Sequence, residues 1–227
     1  MYNYIYVSKN QRKEQKKDII KLLNLVQDEV RKEFTFRYDF IGSDSRNMVT
    51  YDPKSNVGYD FDVNIRINDP EECYSPKEIK KILRAGFDKY VKKFNFDYSE
   101  DSSRVITIKV KDTKNSKIIY SCDFAVVRDF EDGSQQYLRF NKDTKCYVWE
   151  WQPEGYYLLP ERIELIKENG LWQEVRDLYI EKKNKNTDKN KKSRTIFAET
   201  INEIVTNYDL EYDEDDYYDD EDDDYWD

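Results

Sequence analysis

The chain has 227 residues, enough for one ordinary domain with appendages, and its 20 tyrosines and 11 phenylalanines supply material for a core. Histidine is absent, which excludes Ser-His-Asp and Cys-His hydrolases, histidine-ligated metals and a histidine general base, and leaves acid–base work to carboxylates and metals. The net charge of −10 is concentrated: residues 209–227 hold thirteen acidic residues and no basic ones, which leaves residues 1–208 at about +3, a balance consistent with binding triphosphates and RNA or DNA.

Residues 1–6 lack the basic start and long apolar block of a signal peptide, and no stretch is apolar over the length needed to cross a membrane. Cys73, Cys122 and Cys146 are odd in number and scattered, against a disulfide framework or a zinc cluster, so a cytoplasmic protein is expected. Ile19, Ile20, Leu22, Leu23, Leu25, Val26 and Val30 recur at helical spacing and predict an amphipathic helix over about 11–34. Residues 34–41 alternate as a strand that runs into a Gly42-Ser43 turn, and a second apolar strand covers 59–65. Ser75-Pro76-Lys77-Glu78 is a helix start, with proline in the first turn and the spacing of a capping box. That helix is expected to reach about Phe94, with Gly86 where it packs close to a sheet. Residues 105–110 and 118–127 read as two strands of a hairpin joined by the polar segment 111–117. Short strands at 137–140 and 146–151 follow. A helix then starts near Pro160, breaks at Asn169-Gly170 and resumes to about Lys183. The Lys/Asn-rich stretch 182–194 is expected to be a mobile loop, and residues 193–207 a last helix with Ile196, Phe197, Ile201, Ile204 and Val205 on one face.

Asp60 and Asp62 lie in the run Tyr59-Asp60-Phe61-Asp62-Val63-Asn64-Ile65, and side chains two apart on a strand share a face. Two carboxylates side by side next to a core raise each other's pKa, and burial adds to the cost. A divalent cation removes both penalties, and oxygen-only ligands suit Mg2+ or Mn2+. Asp123 is the lone acidic residue of the later apolar strand. If that strand lies beside the first, three carboxylates converge and can hold two metal ions astride a phosphate.

With Ile41-Gly42-Ser43-Asp44-Ser45-Arg46 ahead of Asp60 and Asp62, and Asp123 behind, the chain resembles the polymerase-beta-like nucleotidyltransferase superfamily over about residues 10–130. The pattern of that superfamily is an apolar residue, Gly-Ser, a spacer, Asp-x-Asp on a strand, then an acidic residue on a later strand. The order of elements is similar to that of its cyclic-dinucleotide and oligoadenylate synthase branch. Sixteen residues separate Ser43 from Asp60, a longer spacer than usual that an insertion around 50–56 explains, and Asn47 stands where the minimal branch commonly has glycine.

The resemblance implies an α+β fold, a nucleotidyltransferase-type mixed sheet flanked by helices. A catalytic core would cover 1–130, a smaller strand and helix extension 131–208, and an acidic tail 209–227. It implies that Asp60, Asp62 and Asp123 bind two Mg2+ or Mn2+ ions. The amides of Gly42 and Ser43 would cradle the phosphates of a nucleoside triphosphate, with the Ser43 hydroxyl and Arg46 stabilising charge there. The reaction would transfer a nucleoside monophosphate to a hydroxyl and release pyrophosphate. The acceptor stays open among a second nucleotide, RNA, a protein side chain and a small molecule. The other reading is a non-catalytic protein of this fold that binds RNA or a protein partner.

Lys192, Ser193 and Arg194, at a helix start, are candidates for triphosphate contacts or an ordinary basic loop. Trp149, Trp151, Tyr156 and Tyr157 offer a stacking face for a base or core packing. The tail reads as a disordered solubilising segment. Because Tyr212, Tyr217, Tyr218, Tyr225 and Trp226 stud its acidic run, it could alternatively compete with nucleic acid for a basic groove.

Overall fold

The computed structural model describes residues 2–69, 71–152 and 159–210. The chain divides into two compact units, one of residues Asn3–Pro153, the other of Met1–Tyr2 with Glu154–Asp227. The expected tail lies, from residue 211 on, outside the described residues, as do Tyr156 and Tyr157.

The larger unit begins with β1 (Ile5–Tyr6) and α1 (Lys9–Val30). α1 starts earlier than its apolar periodicity implies because Ser8 and Gln11 form a capping box, and it ends at Val30, short of Phe34. Then follow β2 (Thr35–Ile41), the one-turn helix α2 (Gly42–Ser45) where a turn was expected, β3 (Thr50–Tyr51) and β4 (Tyr59–Asn68). β3 pairs with β1 and accounts for part of the long spacer between Ser43 and Asp60.

α3 (Pro76–Tyr90) carries the expected capping box of Ser75 and Glu78, and a 3-10 turn at Val91–Phe94 completes it. Gly86 meets the side chains of Val26 and Val30, so the close approach there is between α3 and α1 rather than between helix and sheet. β5 (Glu100–Asp101), β6 (Val105–Asp112), β7 (Lys117–Asp129), β8 (Gln135–Asn141) and β9 (Cys146–Trp151) complete the unit.

Seven strands form one mixed sheet in the order β2-β4-β7-β6-β5, with β8 on β7 and β9 on β8. β4 and β7 are parallel and every other pair is antiparallel. β8 and β9 fall in the sequence-based C-terminal extension, yet they belong to this sheet, because the long β7 outruns β6 and offers residues 127–129 to β8. The core lies on one face, where Ile19, Leu22, Leu23 and Val26 of α1 and Ile79, Leu83 and Phe87 of α3 meet Phe61, Val63 and Ile65 of β4 and Phe124 and Val126 of β7. Burying such side chains contributes about 1.5–3 kcal/mol each. Alternation along β4 therefore turns Asp60, Asp62 and Asn64 to the opposite, polar face.

The smaller unit holds α4 (Leu159–Glu168), α5 (Trp172–Lys185) and α6 (Ser193–Asn207). Gly170 takes φ +71° where the break was expected. α5 reaches further into the Lys/Asn-rich stretch than expected, where Lys182 pairs with Glu203 at 2.5 Å and Lys191 with Glu199 at 2.6 Å. Ile166, Val175, Ile196, Phe197, Ile201 and Ile204 are buried, and Trp172 and Tyr179 meet Phe197 edge-on. Among the described residues no helix is long and apolar enough to cross a membrane.

Candidate functional site

The parallel pairing of β4 and β7 sets Asp60 opposite Ser121 and Asp62 opposite Asp123. Paired residues of neighbouring strands point to the same side, so the three carboxylates stand together on the polar face. β6 brings Thr107 opposite Asp123, and its hydroxyl donates to the carboxylate at 2.5 Å. The Ser121 hydroxyl donates to Asp60. Asp60 is exposed, while Asp62 and Asp123 are half-buried. Burial, then the charges of Asp123 and Asp60, push the Asp62 carboxyl up to about 6, against the pull of Arg46. Burial also raises Asp123, opposed by the Thr107 hydrogen bond and reinforced by Asp60. Among the described residues no three Asp, Glu, Cys or His side chains are gathered closely enough to form a ready-made metal cage. Two of these carboxylates are instead drawn to the hydroxyls of Ser121 and Thr107.

The backbone of the Gly-Ser segment lies against this cluster. Ile41 pairs with Asp62, and Gly42 follows with φ +65°. A Cβ on Gly42 would come within 2.6 Å of Asp62 Oδ2, so both conformation and contact demand glycine. The Met48 amide donates to the Ser43 carbonyl at 2.8 Å and the Asn47 amide to the Asp44 carbonyl at 3.1 Å, which closes α2.

Asp44, beneath that turn, is buried and accepts from Arg12 Nε at 2.6 Å and Lys16 Nζ at 2.5 Å. Arg12 also donates to the Val7 carbonyl at 2.7 Å and to Asn47 Oδ1 at 3.0 Å. Burial opposes ionisation of Asp44, but the hydrogen bonds and charges of Lys16 and Arg12 outweigh it and hold the carboxyl below the ordinary range. The ion pair locks the Gly-Ser turn to α1.

Sequence reasoning did not find Thr107, Ser121, Arg12, Lys16 or the role of Asp44. Ser121 had a signal, since it lies two residues before Asp123 and so on the same strand face. Of the other candidates, Trp149 packs over the Arg128 guanidinium at 4.8 Å and Trp151 lies 4.8 Å from Phe130. Their register with β8 puts both on the sheet face opposite the carboxylates. Lys192 is the N-cap of α6, and Ser193 and Arg194 open its first turn in the smaller unit.

No family model matches the chain, and no curated protein matches it. Solved structures do. The GTP-bound form of DncV from Vibrio cholerae is 14% identical with a TM-score of 0.54, covering 83% of this chain and 51% of that one. The 3′-deoxy ATP-bound form of DncV is 12% identical with a TM-score of 0.53, with coverage of 83% and 51%. The CD-NTase CdnG of Bradyrhizobium diazoefficiens, in complex with GTP, is 12% identical with a TM-score of 0.50, with coverage of 74% and 50%. The chain thus spans about half the length of the solved structures it matches, and it shares their fold, the nucleotidyltransferase fold.

Proposed function

We propose that the chain is a metal-dependent nucleotidyltransferase that moves a nucleoside monophosphate from a nucleoside triphosphate to a hydroxyl acceptor. The observation that carries this reading is the register that places Asp62 beside Asp123, with Asp60 on the same face and the Gly42 backbone against Asp62. The GTP and 3′-deoxy ATP bound to the similar structures support a triphosphate donor, as does the description of DncV as a di-nucleotide cyclase.

The donor set fits divalent cations: its groups are all carboxylates, and a cation would offset the burial and the two neighbouring charges that raise the Asp62 carboxyl. Asp60, Asp62 and Asp123 would hold two Mg2+ or Mn2+ ions, which when bound neutralise the triphosphate and ease deprotonation of the acceptor. The amides of Gly42 and Ser43 approach the phosphates closely because Gly42 has no side chain, and the Ser43 hydroxyl and Arg46 add donors to the leaving group. The acceptor oxygen bonds to the α-phosphorus as the bond to the β-phosphate oxygen breaks. Pyrophosphate leaves, and the hydroxyl proton passes to solvent.

Asp60→Asn with Asp62→Asn should abolish product formation from labelled triphosphates, read by thin-layer analysis, while the melting temperature in the absence of metal stays the same or rises because clustered charge is relieved. Undiminished turnover in the double variant would refute the reading. A second reading, a non-catalytic protein of this fold that binds RNA or a protein partner, draws on the hydrogen bonds that hold Asp60 and Asp123 to Ser121 and Thr107. Titration with the four triphosphates and Mg2+ separates the two, since only the first requires triphosphate binding.

A further inference from the structure

A cavity of about 590 Å³ opens where β8, β9 and the entry to β6 meet; its lining includes Arg104, Arg139, Asn141 and Lys142 and, with opposite charge, Asp143 and Glu150. Arg139 and Glu150 lie on the carboxylate face. Val127 shares the face of Asp123 and pairs with Tyr137, Tyr137 pairs with Glu150, and Arg139 follows Tyr137 by two residues.

The negative charge of Glu150 is already committed. It accepts from the Tyr137 hydroxyl at 2.6 Å and from Arg139 Nη1 at 2.7 and 2.6 Å. Both bonds from Arg139 use one nitrogen, so its Nη2 and its buried Nε have no hydrogen-bond partner among the described residues. Arg104 and Lys142 make no ion pair among the described residues. Asn141 Oδ1 accepts from the amides of Asp143 and Thr144 at 2.9 and 3.1 Å, which leaves its NH2 to donate. The wall therefore sets three cations, Arg104, Arg139 and Lys142, against Glu150 and Asp143, with Arg104 also acting on the charge of Glu150, and keeps N–H donors of Arg139 and Asn141 to spare.

It is also held in place. Lys80, 2% exposed, bonds Asp101 and the Ser102 carbonyl, both at 2.7 Å, just ahead of Ser103. The Phe140 amide donates to the Ser103 carbonyl at 2.7 Å.

The position of the cavity relative to the carboxylates gives it meaning. Phosphoryl transfer needs the attacking and leaving oxygens roughly in line, on opposite sides of the phosphorus. On the nucleotidyl-transfer reading above, on which this inference rests, the leaving pyrophosphate lies toward Gly42, on the β2 side of β4. The acceptor then arrives from the β6 side of Asp123. Arg104, in the bend that leads into β6 ahead of Thr107, lines the cavity beside Arg139 and Glu150 of that face. We propose that this cavity binds a phosphate group of the acceptor, which makes the acceptor a nucleotide or an RNA end rather than a neutral small molecule or a protein side chain. A guanidinium with free N–H groups beside an ammonium suits phosphate oxygens.

The test uses the full chain with Arg104→Ala and Lys142→Ala together, both exposed residues. Binding of AMP, adenosine and a short single-stranded oligoribonucleotide is measured with the donor side saturated by a non-hydrolysable triphosphate. The double variant should bind the phosphate-bearing probe about tenfold more weakly, with adenosine and the triphosphate unchanged. A loss confined to the oligonucleotide identifies RNA as the source of the phosphate, and a loss for AMP as well identifies a free nucleotide. Lys13→Ala with Lys32→Ala removes equal charge from outside the cavity and should change nothing. Equal binding by the wild type and the cavity variant, an equal loss in the control, or binding of neither probe by the wild type overturns the proposal. Failure of the wild type to bind the triphosphate overturns the catalytic reading instead, while a phosphate-specific loss in the variant still establishes the site.

Discussion

Asp123 and Asp62 face one another across β4 and β7, but the partners around them differ. Asp62 lies against the Gly-Ser backbone, the donor side of the proposed reaction, whereas Asp123 is held by Thr107, on the side from which its acceptor would approach. Asp123→Asn should therefore, on the proposed function, lower turnover by roughly a hundredfold and leave triphosphate affinity nearly unchanged, because there it would act on the reacting hydroxyl and not on the bound phosphates. Single-turnover rates beside equilibrium binding give the split; a loss of affinity as large as the loss of rate would place Asp123 on the donor side. Asp44 acts through another element. Its carboxyl is held below the ordinary range, so its stabilisation is full above the pKa of the unfolded chain, about 4, and is lost as pH falls through its folded value. Asp44→Asn leaves Arg12 buried without its anion and should destabilise the protein by about 3 kcal/mol at pH 7. In urea unfolding the gap from wild type should narrow below pH 4, and a gap independent of pH would mean the charge of Asp44 contributes little.

At the scale of elements, the site depends on one register, that of β4 on β7. Gly58 starts it: a Cβ there would lie 1.9 Å from the Ile119 carbonyl oxygen, and the Ile118 amide donates to the Asn56 carbonyl at 2.8 Å beside it. Gly58→Ala must move backbone and not merely a side chain, so a loss of about 3 kcal/mol is expected, the upper end for overpacking. Faster amide exchange along Phe61 and Cys122 should accompany it, and exchange unchanged from wild type would show that the strands tolerate the shift.

This dependence on register also explains what could be read in advance. Asp60 and Asp62 were legible because their relation is local, two residues apart on a strand, and α3 because its capping box is written in four consecutive residues. The pairing of Thr107 with Asp123 and of Arg12 with Asp44 is chosen by strand order and helix placement, which no local pattern encodes. The faces of Trp149 and Trp151 follow from β8 joining β7, again a matter of strand partnership. α2 was hidden for a different reason: four residues are too few to show a helical period, and Gly-Ser is equally at home in a turn.

For the whole molecule the dominant long-range feature is charge. Residues 211–227 carry twelve acidic side chains on a chain whose remaining residues sum to about +2. Whatever path that segment takes, it is tethered to a protein whose proposed ligands are polyanions, and its field opposes their approach. The interaction is longest in reach at low salt, since the Debye length falls from about 30 Å at 0.01 M to about 8 Å at 0.15 M. Deleting residues 211–227 should therefore tighten binding of a triphosphate or oligoribonucleotide by roughly tenfold at 0.01 M salt, with most of the gain gone at 0.15 M. Because the twelve charges repel any polyanion alike, the Arg104→Ala and Lys142→Ala variant should gain by the same factor on truncation. A gain that disappears in that variant would mean that the tail competes for the cavity itself. Affinity unaltered at the lowest salt would reduce the segment to an aid to solubility.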